Sequence, residues 1–181
     1  MVSIDGARDA PVDWVSLTPI DFSVFEGEGD RDIPCGFSGT AHRETPRGRL
    51  LWPVITDGTV RLRRRSRSYD AHAMFMRRCV SIVNTPFTGT GKAMHVKGRV
   101  LEAGAAGCAL LELEGSPAAD WFPAAALVGW RDADDIRRLA ATRLADAAEA
   151  LHDHVRRHYS PALIYGEILD RVRHPLPRET A

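Results

Sequence analysis

The feature that most constrains the fold is a change in the spacing of apolar residues at Trp130. From Ile33 to this point, short runs rich in β-branched and aromatic residues are separated by turn dipeptides, and Asp57-Gly58 is the strongest hairpin signal among them. After this point, apolar residues recur at helical spacing from Ile136 to Val155. The sequence therefore predicts a mainly β fold that is completed by C-terminal helices.

The expected elements follow from the same patterns. One short helix follows the third strand, because Tyr69 and His72 fall at helical spacing and Ser68 suits the N-cap. A long helix begins after Asp132 and runs to 158, and Ser160 caps a second one. The predicted strands are 34–44, 49–56, 59–65, 79–84, 94–102 and 108–114, with a closing strand at the end of 118–130. The expected segments are an irregular acidic arm over 1–32, a β domain over 33–130 and a helical pair over 131–175.

Composition excludes several classes of function. The 181 residues carry 24 basic and 24 acidic side chains, and this balance argues against a protein devoted to DNA or to anionic membranes. No apolar run approaches the roughly 18 residues that span a bilayer, and the acidic start lacks the basic and apolar regions of a signal peptide. Three cysteines without C-x-x-C spacing indicate reduced thiols. We therefore expect a cytoplasmic protein that binds no nucleic acid, membrane or metal, and its 22 arginines beside two lysines are typical of a GC-rich bacterial genome.

A basic block over 59–78 is the clearest sign of chemistry. It carries seven arginines and one aspartate, whereas residues 1–32 carry eight acids and two arginines. Within the block, arginines leave a strand beside hydroxyl groups and the start of a helix, and such groups bind phosphate oxygens. The segment from Arg63 to Ser68 is therefore a candidate anion site. The alternatives are a solvated strand face and charge pairing with the acidic arm.

The order of elements around this block resembles a known fold. This order is similar to that of the FMN-binding split barrel: the Asp57-Gly58 turn, the arginine-bearing strand, the Ser66-Arg67-Ser68 turn, a helix and the strand 79–83. This is the fold of pyridoxamine-phosphate-oxidase-like proteins and flavin reductases. The resemblance covers residues 33–115 and implies a small antiparallel split β-barrel, here followed by the two C-terminal α-helices.

The resemblance also implies a function. It implies an FMN-dependent oxidoreductase that acts on an unknown small molecule, with the flavin at the interface of a homodimer. The alanine-rich face of the long helix would allow a second copy to approach closely, and the alternative is that this helix covers its own barrel. The cofactor phosphate would be bound by the anion segment, that is by Arg63, Arg65, Ser66, Arg67 and Ser68. Three further side chains are candidates to face the substrate: Tyr69, His72 and His95.

A second interpretation remains open at this point. Members of the split-barrel fold also bind deazaflavin or haem, or no cofactor at all. A haem-binding or cofactor-free protein that serves a biosynthetic pathway is therefore the alternative, with His42, His72 or His95 as the haem ligand. His154 and His158, one helical turn apart, have a spacing that can chelate a metal, but neighbouring arginines favour a solvated helix end.

Overall fold

The chain forms a five-stranded, all-parallel β-sheet with helices on both faces in the computed structural model. The structure describes residues 2–3, 14–27, 29–64, 68–87 and 94–174, with residues 2–3 and 14–15 described by their backbone only. The strands are β1 Val2–Ser3, β2 Trp14–Val15, β3 Ile33–Ser38, β4 Arg61–Arg63, β5 Cys79–Asn84, β6 Ala109–Leu113 and β7 Leu127–Trp130. The helices are α1 Phe22–Phe25, α2 Pro46–Thr56, α3 Tyr69–Arg78, α4 Gly98–Ala105, α5 Ala133–Ala140, α6 Ala145–His158 and α7 Pro161–Arg173, and two 3-10 helices cover Pro117–Asp120 and Ala124–Ala126.

The sheet has the strand order β4-β3-β5-β6-β7, and β1 and β2 pair separately. Every pair in the larger sheet is parallel, so the predicted antiparallel split β-barrel is wrong. Parallel strands need crossover connections, and helices supply them here. Strands β3, β5 and β6 are buried on both faces, which is why they read as nearly continuous apolar runs rather than as alternating ones.

Two predicted strands are helices, and this error produced the wrong fold class. The segment predicted as the strand 49–56 belongs to α2. The N-cap of this helix is Thr45, whose side chain accepts a hydrogen bond from the amide of Gly48. The segment predicted as the strand 94–102 contains the first half of α4. Gly58, read as a hairpin residue, instead follows the C-cap of α2 with φ of 83°, a conformation that glycine adopts readily.

Several local predictions are confirmed. Ser68 caps α3 by accepting from the amide of Ala71, and β5 has the predicted bounds 79–84. Asp132 and Ser160 cap α5 and α7, respectively. The predicted long helix is instead two helices, since α5 ends at Ala140 and α6 begins five residues later. The alanine-rich face is therefore divided between two helices, and the homodimer stays a prediction.

Apolar clusters on the two faces of the sheet form the core. One cluster joins the sheet to α1, α3, α4, α6 and α7, and the other joins it to α2 and α5. Trp130, at the end of β7, is fully buried in the second cluster and donates from Nε1 to the carbonyl of Leu111 at 3.1 Å. No helix among the described residues is long and apolar enough to cross a membrane.

The described part of the acidic arm packs against the helices of the first cluster. Leu17, Ile20 and Phe25 are buried there, and the amide of Ile20 donates to the carbonyl of Tyr159 at 3.0 Å. Its acids pair with arginines near the end of α3 and on α6: Asp32 with Arg78, and Glu26 with Arg156. Intramolecular pairing of the arm therefore involves the end of the basic block and a later helix. The division of the chain into three segments stays a prediction.

Candidate functional site

The sheet changes its winding direction between β3 and β5, which are neighbours at its centre. From β3 the chain passes through α2 to β4 on one side, whereas from β5 it passes through α4 to β6 on the other. The buried residues of α2 and α4 belong to different core clusters, so the two helices cover opposite faces of the sheet. In open parallel sheets, ligands bind outside the carboxyl ends of the strands at such a point.

Helix α2 comes after β3 in the chain and α4 comes after β5, so both helices begin on the side of the sheet where these two strands end. The first turn of a helix has amide groups without intrahelical partners, and these favour anions. Thr45 satisfies one such amide in α2, but Lys97, at the N-cap position of α4, makes no side-chain capping hydrogen bond. A side chain at Gly98 would meet open space, so the first turn of α4 is accessible to a ligand.

Three cations come together at these helix starts: Arg47 on α2, and Lys97 and Arg99 at the start of α4. Arg99 donates to Oδ1 of Asn84 at 2.7 Å and to the carbonyl of Ser38, so it joins the ends of β5 and β3. Its guanidinium also lies 4.7 Å from the ring centroid of Phe37. The Nε atoms of Arg47 and Arg99 are buried and have no hydrogen-bond partner among the described residues.

Burial of these cations changes their acidity. Loss of hydration lowers the pKa of Lys97 to about 8, and the charges of Arg47 and Arg99 contribute to this shift. Loss of hydration likewise lowers the pKa of Arg99 to about 10 and lowers the pKa of Arg47. A bound anion would raise these pKa values again, because an opposite charge favours the protonated form of each cation.

A buried carboxylate lies beneath the cations. Glu112 on β6 is only 3% exposed and accepts from Nδ2 of Asn84, its register partner on β5, at 2.7 Å. Burial raises the pKa of Glu112, whereas hydrogen bonds and the charges of Arg99 and Lys97 act in the opposite direction. Asn84 therefore bridges an acid and a base, because its amide nitrogen binds Glu112 and its amide oxygen binds Arg99.

A second polar group lies at the same edge, between α3 and α4. His72 contacts Oγ of Ser38 through Nδ1 and Oε2 of Glu102 through Nε2, both at 3.0 Å. The hydroxyl of Tyr69 lies 3.5 Å from Oε1 of Glu102. The side chains of His72 and Glu102 are 13% and 20% exposed, so the pair is mostly buried at this edge of the sheet but still reaches solvent.

The structure distributes the predicted site residues as follows. Tyr69 and His72 lie together beside Glu102, and His95 lies 2.8 Å from the ammonium of Lys97 through Nε2. Arg63 ends β4 with its guanidinium 5.6 Å from the ring centroid of Phe75, and Ser68 caps α3. The remaining members of the predicted anion segment lie outside the described residues: Arg65, Ser66 and Arg67.

Five residues of the site were missed by sequence reasoning: Arg47, Asn84, Arg99, Glu102 and Glu112. Four of them lie in segments that were predicted as strands, where helical positions or the neighbours at a strand end could not be inferred. The signal that was available is the alanine-rich run 103–106, because alanine favours helices and is depleted in strands. Among the described residues, no group of three His, Cys, Asp or Glu side chains could hold a metal ion.

Comparison with solved structures relates this fold to glycosyltransferases. HepE from Anabaena, solved with UDP-glucose, aligns with a TM-score of 0.64 at 10% identity, over 95% of this chain and 63% of its own. AviGT4, a glycosyltransferase involved in avilamycin A biosynthesis, aligns with a TM-score of 0.65 at 13% identity, over 93% of this chain and 61% of its own. The C-terminal domain of LpcC from Francisella tularensis, a glycosyl transferase group 1 family protein, aligns with a TM-score of 0.52 at 14% identity, over 78% of this chain and 99% of that domain.

These similarities show the fold alone, and this chain spans 63% of the length of HepE and 61% of AviGT4. No family model and no curated protein sequence matches the chain. The expectation of an FMN-dependent oxidoreductase is wrong, because it depended on an antiparallel split barrel and the chain has a parallel, glycosyltransferase-like sheet. The expected cofactors FMN, deazaflavin and haem, and the haem-binding or cofactor-free split-barrel alternative, are overturned for the same reason.

Proposed function

We propose that this chain is the nucleotide-sugar-binding part of a glycosyltransferase and binds a nucleoside diphosphate sugar at the carboxyl ends of β3 and β5. The observation that carries this proposal is the cluster of Arg47, Lys97 and Arg99 at the switch point of the sheet. Two buried guanidinium N–H groups in that cluster have no partner among the described residues. A buried donor without an acceptor is costly, and phosphate oxygens are the acceptors that guanidinium groups match best.

The diphosphate is assigned to the cation cluster and the start of α4. The open first turn of α4 at Gly98 contributes amide donors, and the three cationic side chains contribute charge. When the bond between sugar and diphosphate breaks, negative charge accumulates on the leaving phosphate. Fixed cations in a site that is partly shielded from water stabilise that charge without reorganising, which is how they would favour transfer.

The ribose is assigned to Glu102. A carboxylate is an acceptor that pairs with the two hydroxyl groups of a ribose, and acidic side chains bind the ribose in other nucleotide-binding sheets of this kind. Glu102 lies on α4, the same helix that contributes Arg99, so one rigid element would position both the phosphate and the sugar of the nucleotide. HepE was solved with UDP and with UDP-glucose, which makes UDP the first nucleotide to test.

The test is calorimetric titration of the full chain with UDP, UDP-glucose and FMN. We expect saturable binding of the two uridine nucleotides and none of FMN. Replacement of Arg47 by Ala should weaken UDP binding roughly ten- to a hundredfold, because it removes a charge-assisted hydrogen bond. Arg47 makes none of the hydrogen bonds that join β3 to β5, so the variant should remain folded.

The matched control is Arg138→Ala on α5, which removes an exposed arginine paired with Asp135 at 2.8 Å. This variant loses the same formal charge away from the crevice, and its affinity for UDP should equal that of the unaltered protein. A folded protein that does not bind UDP at millimolar concentration would refute the proposal. Equal losses in the Arg47 and Arg138 variants would refute the assignment of the diphosphate to the cation cluster.

A further inference from the structure

We infer that His72 is a positioning residue that fixes the Glu102 carboxylate for the ribose, so that the site selects ribonucleotides over 2′-deoxyribonucleotides. This inference rests on the proposed function and deepens it. Its basis is the hydrogen-bonded series from Ser38 through His72 to Glu102, in which both contacts to the imidazole are 3.0 Å long.

The chemistry of the three groups fixes the direction of this series. A carboxylate is acceptor-only, so Nε2 of His72 must carry the proton that it shares with Glu102. In the neutral imidazole, Nδ1 is then an acceptor, and it can accept only from the hydroxyl of Ser38. The Glu102 carboxylate thus sets the tautomer of His72, and the hydroxyl of Ser38, which can donate to Nδ1, fixes the orientation of the ring.

The imidazole itself is held in place by packing. Phe25 on α1 makes edge-to-face contacts with the rings of Tyr69 and His72, with centroid separations of 5.4 and 6.1 Å. Phe25 is 1% exposed, so this contact is part of the core. A residue that is fixed by packing and by two hydrogen bonds can hold a partner in one rotamer, which is what a preorganised binding group requires.

The other oxygen of Glu102 remains available to a ligand. Oε1 lies 3.5 Å from the hydroxyl of Tyr69, a separation at the outer limit for a hydrogen bond. Burial and the charge of Glu102 raise the pKa of Tyr69 to about 12, so the phenol stays protonated and does not repel the carboxylate. With Oε2 fixed by His72, the carboxylate presents its remaining lone pairs in a defined direction, towards which the 2′-hydroxyl can donate.

A site that is built to accept a hydroxyl proton discriminates against a ligand that lacks the hydroxyl, because the acceptor is then left unpaired. The test compares affinities for UDP and 2′-deoxy-UDP. The unaltered protein should prefer UDP by roughly tenfold or more, the loss expected for a hydrogen bond to a charged group. His72→Ala should lose most of this preference by weakening UDP while leaving 2′-deoxy-UDP almost unchanged.

Two further variants separate positioning from general packing. His72→Gln retains an amide donor and should restore part of the preference. Ser38→Ala, which removes no ring from the core, should reduce the preference because the imidazole loses one of the two hydrogen bonds that orient it. His158→Gln, at an exposed position near the end of α6, is the control and should change neither affinity. If His72→Ala fails to fold, Ser38→Ala carries the test alone.

The outcomes distinguish this inference from the proposed function. If UDP binds to the unaltered protein but the ratio of the two affinities is the same in every variant, the inference is overturned and the proposed function stands. Equal weakening of both nucleotides in His72→Ala also overturns it, since a purely structural role would act on both. If the unaltered protein binds neither nucleotide nor pyrophosphate, the proposed function itself fails.

Discussion

Lys97 offers the sharpest quantitative test of the cation cluster, because its pKa of about 8 lies within the range where proteins can be assayed. Desolvation is the main cause of this low pKa, the charges of Arg47 and Arg99 add to it, and Glu112 opposes it. A bound diphosphate favours the charged ammonium and should raise the pKa of Lys97. Above pH 8 the free protein has lost this proton, so diphosphate binding must then take up a proton, and the affinity must fall as the pH rises.

The size of the effect follows from the position of the pKa. If Lys97 stays protonated in the complex, the affinity for UDP should fall about tenfold between pH 7 and pH 9, by the linkage of proton and ligand binding. Proton uptake per UDP should rise over the same interval from about 0.1 to about 0.9. The second pKa of a phosphate group is near 6, so the ligand itself remains ionised throughout.

Calorimetric titration in buffers of different ionisation enthalpy measures both quantities. Lys97→Arg should keep the affinity at pH 7 and remove most of the fall, because a guanidinium remains charged. Lys97→Met should bind UDP weakly at pH 7 and show no fall. Among the described residues, the charged and titratable groups that face Lys97 are His95, Arg47, Arg99 and Glu112. A tenfold fall that persists in Lys97→Met would assign the proton to one of them, and a flat profile in the unaltered protein would refute the reasoning.

Two further predictions concern stability and reactivity. A side chain at Gly104 would place Cβ 2.5 Å from Cγ2 of Val155, so Gly104→Ala should lower the free energy of unfolding by about 1–3 kcal/mol. Gly166 lies in open space on α7, so Gly166→Ala should raise the free energy of unfolding by about 0.5–1 kcal/mol. Urea titrations measure both changes. An unaffected Gly104 variant would contradict the packing of α4 against α6, and a destabilised Gly166 variant would contradict the open environment of that position on α7. Burial raises the pKa of all three thiols, so we expect the native protein to react with thiol reagents only as fast as it unfolds; rapid modification would contradict the burial of Cys35, Cys79 and Cys108.

The helix N-caps were predictable from the sequence, and the pairing of the strands was not. The caps at Ser68, Asp132 and Ser160 were predicted because each depends on hydrogen bonds to residues no more than three positions away. The parallel pairing of β3 with β5 joins residues on either side of β4 and two helices, and nothing in either strand specifies its partner or direction. Short apolar runs flanked by glycine are compatible with parallel and with antiparallel sheets. No local feature of the sequence therefore contradicted the resemblance to a barrel.

The part of the site that lies on one short stretch of sequence was predictable. Tyr69 and His72 attracted attention because they follow the arginine-rich turn on a helix, and the structure brings both to Glu102. Arg99 and Glu102 were missed because their segment was predicted as a strand, and a strand has no helix N-terminus at which an anion could bind. Glu112 was missed for a different reason: a single acid inside an apolar strand gives no indication of the cations that the fold places above it.

The presence of Glu112 beneath a site proposed for an anion has a physical explanation. Without ligand, Arg47, Lys97 and Arg99 would repel one another in a partly desolvated crevice, and Glu112 offsets that repulsion. Asn84 joins the two charges, because its amide nitrogen donates to Glu112 and its amide oxygen accepts from Arg99. Arg99 in turn binds the end of β3, so the contacts that balance the charges also hold the two central strands together at the switch point. The stability of the sheet edge and the position of Arg99 in the cation cluster therefore depend on the same hydrogen bonds.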